Sequence, residues 1–193
     1  MAEETENISK NEQERKQRLA ASRKRMIKKI LIWIVGLAVL SGGVYGLVEY
    51  SRKLSSRKPG VAILELAQDH IPVGSKRPDY NSNPPTSGPH YPNPANWGIY
   101  DKPLPDEQLV HNLEHGGVWI SYRDPGDQEL IGKLKELAGK YSLKVIMTPR
   151  PENDSAIAVA AWGRLLKLDT FDKAKIQEFI DAFINRGPEQ VPY

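Results

Sequence analysis

The chain contains no cysteine in 193 residues. That absence excludes a disulfide staple, a thiolate metal site, a cysteine nucleophile and a lipid-modified cysteine anchor together. Any metal must then be held by imidazole, carboxylate, methionine or backbone oxygen. Histidine is scarce as well, with four in the chain, and Met and Phe number three each. No internal repeat is visible, and long uncharged apolar runs are missing with one exception.

The exception is ILIWIVGLAVLSGGVYGLV, Ile30 to Val48. Nineteen residues pass without a charge, and as a helix they extend about 28 Å, the thickness of a bilayer's hydrocarbon core. A cleavable signal peptide is the alternative. Against it, the apolar run and the basic region before it are both long, and no A-x-A cleavage site follows. The reading is a transmembrane helix over 30–48 behind a basic cytoplasmic tail, 1–29. Arg15, Lys16, Arg18, Arg23, Lys24, Arg25, Lys28 and Lys29 precede the span, and Arg52, Lys53, Arg57 and Lys58 follow it. Lys and Arg close to a span resist translocation, so this bias predicts a single-pass protein of the cell membrane with its N-terminus cytoplasmic and its C-terminal domain outside. Residues 1–22 are too polar to bury a core, which predicts either disorder or a helix continuing the span. A polar linker, 49–59, leads to an extracytoplasmic domain, 60–193.

The formal net charge of +3 is unevenly spread. From Pro59 onward fourteen Lys and Arg face eighteen Asp and Glu, a net of −4. No nucleic-acid partner is expected from an acidic exported part. The basic cluster before the span fits a lipid bilayer with anionic headgroups.

Within the domain, VAILELA, 61–67, reads as a strand or a short helix. The stretch NPPTSGPHYPNPANWG, 83–98, holds five prolines, which forbid regular hydrogen-bonded structure and predict a loop. Its surrounding aromatics, Tyr80, Tyr91, Trp97 and Tyr100, predict packing against something. A short helix follows, with Asp106 as N-cap, an apolar stripe of Leu109, Val110 and Leu113, and Gly116 as the stop. VWISYR, 118–123, reads as a strand, and 124–141 as an amphipathic helix with Leu130, Ile131, Leu134, Leu137, Ala138 and Tyr141 on one face. KVIMT and AIAVAAW read as two buried strands, joined by a turn at 150–154 in which Asn153 and Asp154 suit backbone hydrogen bonding. A last helix is predicted over 172–186, with a Phe171–Ile176 staple and a stop at Gly187-Pro188. The order helix, strand, helix, strand, strand, helix predicts the α+β class: a small mixed sheet with helices packed on it. A thioredoxin-like topology is one arrangement of that order, without thioredoxin chemistry because no Cys is present.

The stretch HNLEHGG, 111–117, carries the functional question. His111 and His115 lie four apart on a helix and project from one face, the spacing that lets two imidazoles grip one ion. At about 100° per residue they point away from the Leu109, Val110 and Leu113 stripe, toward solvent or toward a cleft roofed by another segment. His70 and His90 sit in the irregular region before this helix, where a folded-back loop would complete a coordination sphere. The leading expectation is a copper or zinc ion held by His111, His115, His90 and His70. Met147 would favour copper if it reached the site.

Two other readings stand beside this one. HNLEH also spells H-x-x-E-H, in which Glu114 would be the general base of a metal-dependent hydrolase. Gly116 and Gly117 stop the helix too early for that motif's usual setting, and Glu114 lies about 80° from the histidine pair, so an orienting role in the second shell is the alternative. In the other reading, Tyr80, Tyr91, Trp97 and Tyr100 dock an envelope protein or polymer. Arg164 would bind an anion in the cleft or pair with Asp169.

NPPTSGPHY, LVHNLEHGGVWISY, IAVAAWGRLLKLDTFD and NRGPE, in this order, resemble the bacterial domain of unknown function 3105 family over roughly Gly60 to Glu189. The resemblance implies a membrane-anchored or secreted domain and supplies no activity. The positions matching its motifs include His70, His90, His111, Glu114 and His115.

Overall fold

A computed structural model describes residues 2–55 and 58–189 as two compact units that divide after Leu54. The first unit is a single helix, α1, Ala2–Ser55. Of the two states expected for the polar N-terminal stretch, helix is the one present from residue 2. The stretch Arg23–Ser51 is long and apolar enough to cross a membrane and buries none of its apolar window; a signal sequence near an N-terminus has the same length and composition. The helix also runs into the stretch read as linker, where no Gly or Pro occurs between Val48 and Pro59. Ser56 and Arg57 of that linker lie outside the described residues.

The second unit is built on a six-stranded mixed sheet in the order β1-β6-β5-β3-β4-β2. Its strands are β1 (Val61–Ala62), β2 (Gly98–Ile99), β3 (Val118–Tyr122), β4 (Val145–Pro149), β5 (Ile157–Ala161) and β6 (Arg164–Leu168). β3 and β2 pair with β4 in parallel, whereas β3–β5, β5–β6 and β1–β6 are antiparallel. Three helices cover it: α2 (Asp106–Glu114), α3 (Gln128–Ala138) and α4 (Lys173–Phe183). This is the expected α+β class.

Alternation along the buried strands divides the core in two. Val118, Ile120, Tyr122, Val145, Met147, Ile157 and Val159 face Ile131 and Leu134 of α3 and Ile176, Phe179 and Ile180 of α4. The alternate residues Trp119, Ile146, Ala158 and Ala160 face Leu109, Val110 and Leu113 of α2. Ala95, with Tyr80, Trp97 and Tyr100 partly buried beside it, belongs to that second core, so the Pro-rich loop and α2 together form the sheet's second cover. Each fully buried Leu, Ile or Phe contributes about 1.5–3 kcal/mol.

Several local expectations are corrected. VAILELA yields only the two-residue β1, its remainder being irregular. GRLLKL forms a strand, β6, that the sequence reading did not find, turned back from β5 through Gly163 at φ +64°. Asp106 is the first residue of α2 and Pro105 its N-cap; the Asp106 carboxylate is taken by Arg150 and Arg77. Asn153 turns its amide to the Ser121 hydroxyl and the Arg150 guanidinium rather than to the backbone of its turn. Helix α4 is N-capped by Asp172, which accepts from the Lys175 N–H at 3.1 Å, but it ends at Phe183, short of Gly187. Past that point the chain is drawn into contacts with the end of α2.

Candidate metal centre

Helix α2 is short, and every residue from Leu109 to Glu114 is buried. One side packs on the sheet, and the side bearing His111 and Glu114 lies beneath the segment from His70 to Tyr91. The histidine face is therefore the roofed cleft of the two alternatives. Irregular backbone needs its hydrogen bonds satisfied wherever it is buried, and here each partner can be named. His70 and His90 form a parallel bridge, with the Ile71 N–H donating to the His90 carbonyl at 2.8 Å and the His90 N–H to the Asp69 carbonyl at 2.9 Å. The Tyr91 N–H donates to the Glu107 carbonyl. The Asn112 side chain accepts from the Ala95 N–H and donates to the Ala95 carbonyl, both at 2.8 Å, in the manner of a neighbouring strand. These bonds fasten the loop to the helix and set the histidines of both against one another.

The end of α2 is equally fixed. Gly116, at φ +76°, donates to the Leu113 carbonyl, and Gly117 donates to the Asn112 carbonyl. This pair of bonds is a Schellman motif, which needs a left-handed residue where Gly116 stands. Buried Lys144 donates its ammonium to the His115 carbonyl, a cation at the negative end of the helix dipole. Burial pushes the Lys144 pKa down. The chain after α4 crosses the same place: the Asn185 N–H donates to the Gly116 carbonyl at 2.8 Å and the Glu189 N–H to the Glu114 carbonyl at 3.1 Å. A Cβ on Gly187 would lie 2.0 Å from the Glu114 carbonyl oxygen, so this crossing requires glycine.

Three imidazoles and a carboxylate converge in the cleft. The ring centroids of His70, His90 and His111 lie 4.9–5.2 Å apart, with His70 and His111 stacked and His90 edge-on to both. His90, His111 and Glu114 are buried, while the His70 side chain is half exposed. His90 turns Nδ1 to the Gly88 carbonyl at 2.8 Å, and His111 turns Nδ1 to the Tyr91 carbonyl at 2.6 Å. A carbonyl only accepts, so each Nδ1 carries a proton and Nε2 is the nitrogen each ring turns to the cleft. Burial pushes the His111 pKa below its ordinary value, further lowered by His115 and His90, against the opposing pull of its bond to Tyr91 and of Glu114. His111 is thus neutral at pH 7. Glu114 Oε2 lies 3.0 Å from His90 Nε2 and 4.0 Å from His70 Nε2. One ligand atom from each of His70, His90, His111 and Glu114 falls within 4.8 Å of the others, a group that could hold a metal ion. Tetrahedral zinc with bonds of about 2.0–2.1 Å separates its ligands by roughly 3.4 Å. Separations of 3.0 Å from Glu114 to His90, 4.0 Å from Glu114 to His70 and at most 4.8 Å throughout the group bracket that spacing.

Of the residues expected at the site, Glu114 stands among the ligand atoms rather than behind them. His115 falls into a second group with Glu114 and Glu189. Its Nε2 lies 3.1 Å from His111 Nε2 and 3.1 Å from Glu189 Oε2. Sequence reasoning did not single out Glu189, although it closes the motif NRGPE. Met147 packs in the core on the α3 and α4 side, across the sheet from α2, so no thioether joins the cluster. Tyr80 donates its hydroxyl to the Pro89 carbonyl and Tyr100 to the Asn96 carbonyl, while Trp97 packs against Gly117 beneath the Lys144 ammonium. Tyr91 accepts from the Gly74 N–H at 3.3 Å. Arg164 lies over the Phe183 ring, 5.6 Å from its centroid.

Searches of curated proteins and of solved structures find no match to the chain. A family model matches residues 73–192 and so includes His90, His111, Glu114, His115 and Glu189, with His70 just outside. The motifs around the cleft fall within the matched span, which covers more than half of the chain, and the chain belongs to the family described as Protein of unknown function (DUF3105).

Proposed function

We propose that this is a membrane-anchored metal-binding protein whose domain lies outside the cytoplasm and holds a zinc or copper(II) ion between His70, His90, His111 and Glu114. The observation that carries the reading is the pair of Nδ1–H bonds to the Gly88 and Tyr91 carbonyls, which leave Nε2 as the nitrogen each buried ring can offer in the group it forms with His70 and Glu114. Metal-binding histidines are characteristically held in this way from behind. Three imidazoles and a carboxylate, without thiolate or thioether, suit a divalent ion better than copper(I). A hydrolase mechanism has less support, because Glu114 occupies a ligand's position rather than that of a base beside it. Docking through the Pro-rich loop also has less support, since Tyr80, Trp97 and Tyr100 pack against the domain's own core.

Full-length protein in detergent, loaded with zinc or copper(II) and desalted, is expected to retain at least about one equivalent of metal and to melt higher than the chelated protein, because an ion bound only by the folded state stabilises it. Uptake falls below about pH 6, where protons compete for imidazole. Protein that keeps no metal and shows no shift in melting overturns the reading.

Orientation has a clean test because the chain has no native cysteine. With a membrane-impermeant maleimide on cells whose outer surface is accessible, Lys140→Cys is expected to label and Ser9→Cys to label only after lysis. The reverse pattern refutes a cytoplasmic N-terminus, and labelling only in a soluble, shortened product identifies α1 as a cleaved signal.

A further inference from the structure

We infer that the centre takes two metal ions, the second held by His115, Glu189 and a bridging Glu114 on the solvent side of the first. This rests on the metal reading of the first group. Glu114 belongs to both groups of converging ligand atoms, and a carboxylate has two oxygens with which to serve two ions.

His115 supplies an independent observation. Its Nε2 faces His111 Nε2 and Glu189 Oε2, each at 3.1 Å. The His111 nitrogen is a lone pair, because that ring's proton is engaged at Tyr91. His115 Nε2 therefore meets two acceptors and has one proton to give. A cation bound to its lone pair suits all three atoms: the first ion takes His111, and the second joins His115 to Glu189.

The position of Glu189 is set by the fold. Its own N–H donates to the Glu114 carbonyl, and the preceding turn is held by Asn185 on Gly116 and by the close fit of Gly187. Two of the three candidate ligands of the second ion, Glu114 and Glu189, are thus joined by a backbone bond. With the His115 side chain 16% exposed and that of Glu189 58% exposed, the second position opens to water. One nitrogen and two oxygens leave at least one place on a divalent ion for water or an anionic ligand, whereas the first ion is enclosed. Two dications about 4 Å apart repel, and a shared carboxylate with a second carboxylate alongside offsets that repulsion, as in paired-metal sites generally.

Cobalt(II) titration of the full-length protein in detergent, read by bound metal and by electron paramagnetic resonance, distinguishes the outcomes. Two equivalents with magnetic coupling between them are expected, falling to one uncoupled equivalent in Glu189→Gln and in His115→Gln. Glu189 is largely exposed, so the metal-free melting of Glu189→Gln should match the unsubstituted protein and verify its fold. One equivalent in the unsubstituted protein, unchanged in Glu189→Gln, overturns the second ion and leaves the first. Two equivalents that are uncoupled, or that survive both substitutions, also overturn it. No bound cobalt at all is instead the failure of the first site.

Discussion

Replacing His90 with alanine is expected to lower zinc affinity by more than about a hundredfold, since even a residue that only orients a ligand is worth about ten- to a hundredfold. His90 is the most deeply enclosed of the set, 0% exposed, and its Nε2 is the nitrogen nearest the Glu114 carboxylate. Competition against a chelator of known affinity measures the loss. His111→Ala should match it, and His70→Ala should fall short, because that ring is half exposed and stands 4.0 Å from Glu114. Glu114→Gln separates the ligand from the base: a ligand's removal weakens metal binding, whereas a base's removal leaves it intact. A purely structural His90–Glu114 pair makes a different forecast, in which His90→Ala lowers the melting temperature equally with and without zinc. Under the metal reading the zinc-dependent rise in melting present in the unsubstituted protein disappears in the variant.

Helix α2 shows why part of this site was legible and part was not. The spacing of His111 and His115 and their position away from the apolar stripe follow from helical periodicity, a local property written in consecutive residues. The loop's prolines and aromatics pointed to a packed loop, while helical periodicity left the histidine face open either to solvent or to a roof. Which side chains converge on one point is a matter of fractions of a turn and of chain arriving from elsewhere. Glu114 enters the cluster because His90 comes to its side of the helix, and His115 leaves it because Glu189 arrives some seventy residues later in sequence. The same distinction holds for the fold. Helix α4 was legible from its apolar face, yet its end at Phe183 is decided by bonds from Asn185 and Glu189 to residues of the α2 terminus. Strand β6 lacks a clean apolar run and carries Arg164 on one face and Lys167 on the other, so only its pairing with β5 reveals it. The loop aromatics were rightly expected to pack, and what they pack on is this domain's own core.

Arg150→Ala is expected to cost the domain about 3–5 kcal/mol, because removing one member of a buried ion pair strands the other's charge. Arg150 lies at the end of β4, its side chain 4% exposed, with Nε donating to Asp106 Oδ1 at 2.9 Å and Nη2 to Asp106 Oδ2 at 2.8 Å. The remaining nitrogen reaches Asn83 and Asn153, Asn83 donates onward to the Glu152 carbonyl, and Asn153 to Ser121 in β3. One guanidinium thus joins the sheet, the first residue of α2 and the start of the Pro-rich loop, all of which the histidine cluster needs in place. Lysine at 150 keeps the charge and loses the planar fork, so Arg150→Lys should recover only part of the loss. Arg150→Met combined with Asp106→Leu should recover more than either single change, since no unpaired charge is then left buried. Arg77 also pairs with Asp106, but its half-exposed side chain can turn to water. Chemical denaturation of the metal-free protein, followed by tryptophan fluorescence, reads all five variants, the two single changes included. A cost below about 1 kcal/mol for Arg150→Ala would place the pair with the weak surface bridges and leave the roof of the cleft held by its other bonds, those of Asn112, Tyr80 and Tyr91 and the His70–His90 bridge among them. A domain at the low end of the usual range, about 5 kcal/mol, would be left with little or no stability by the larger loss.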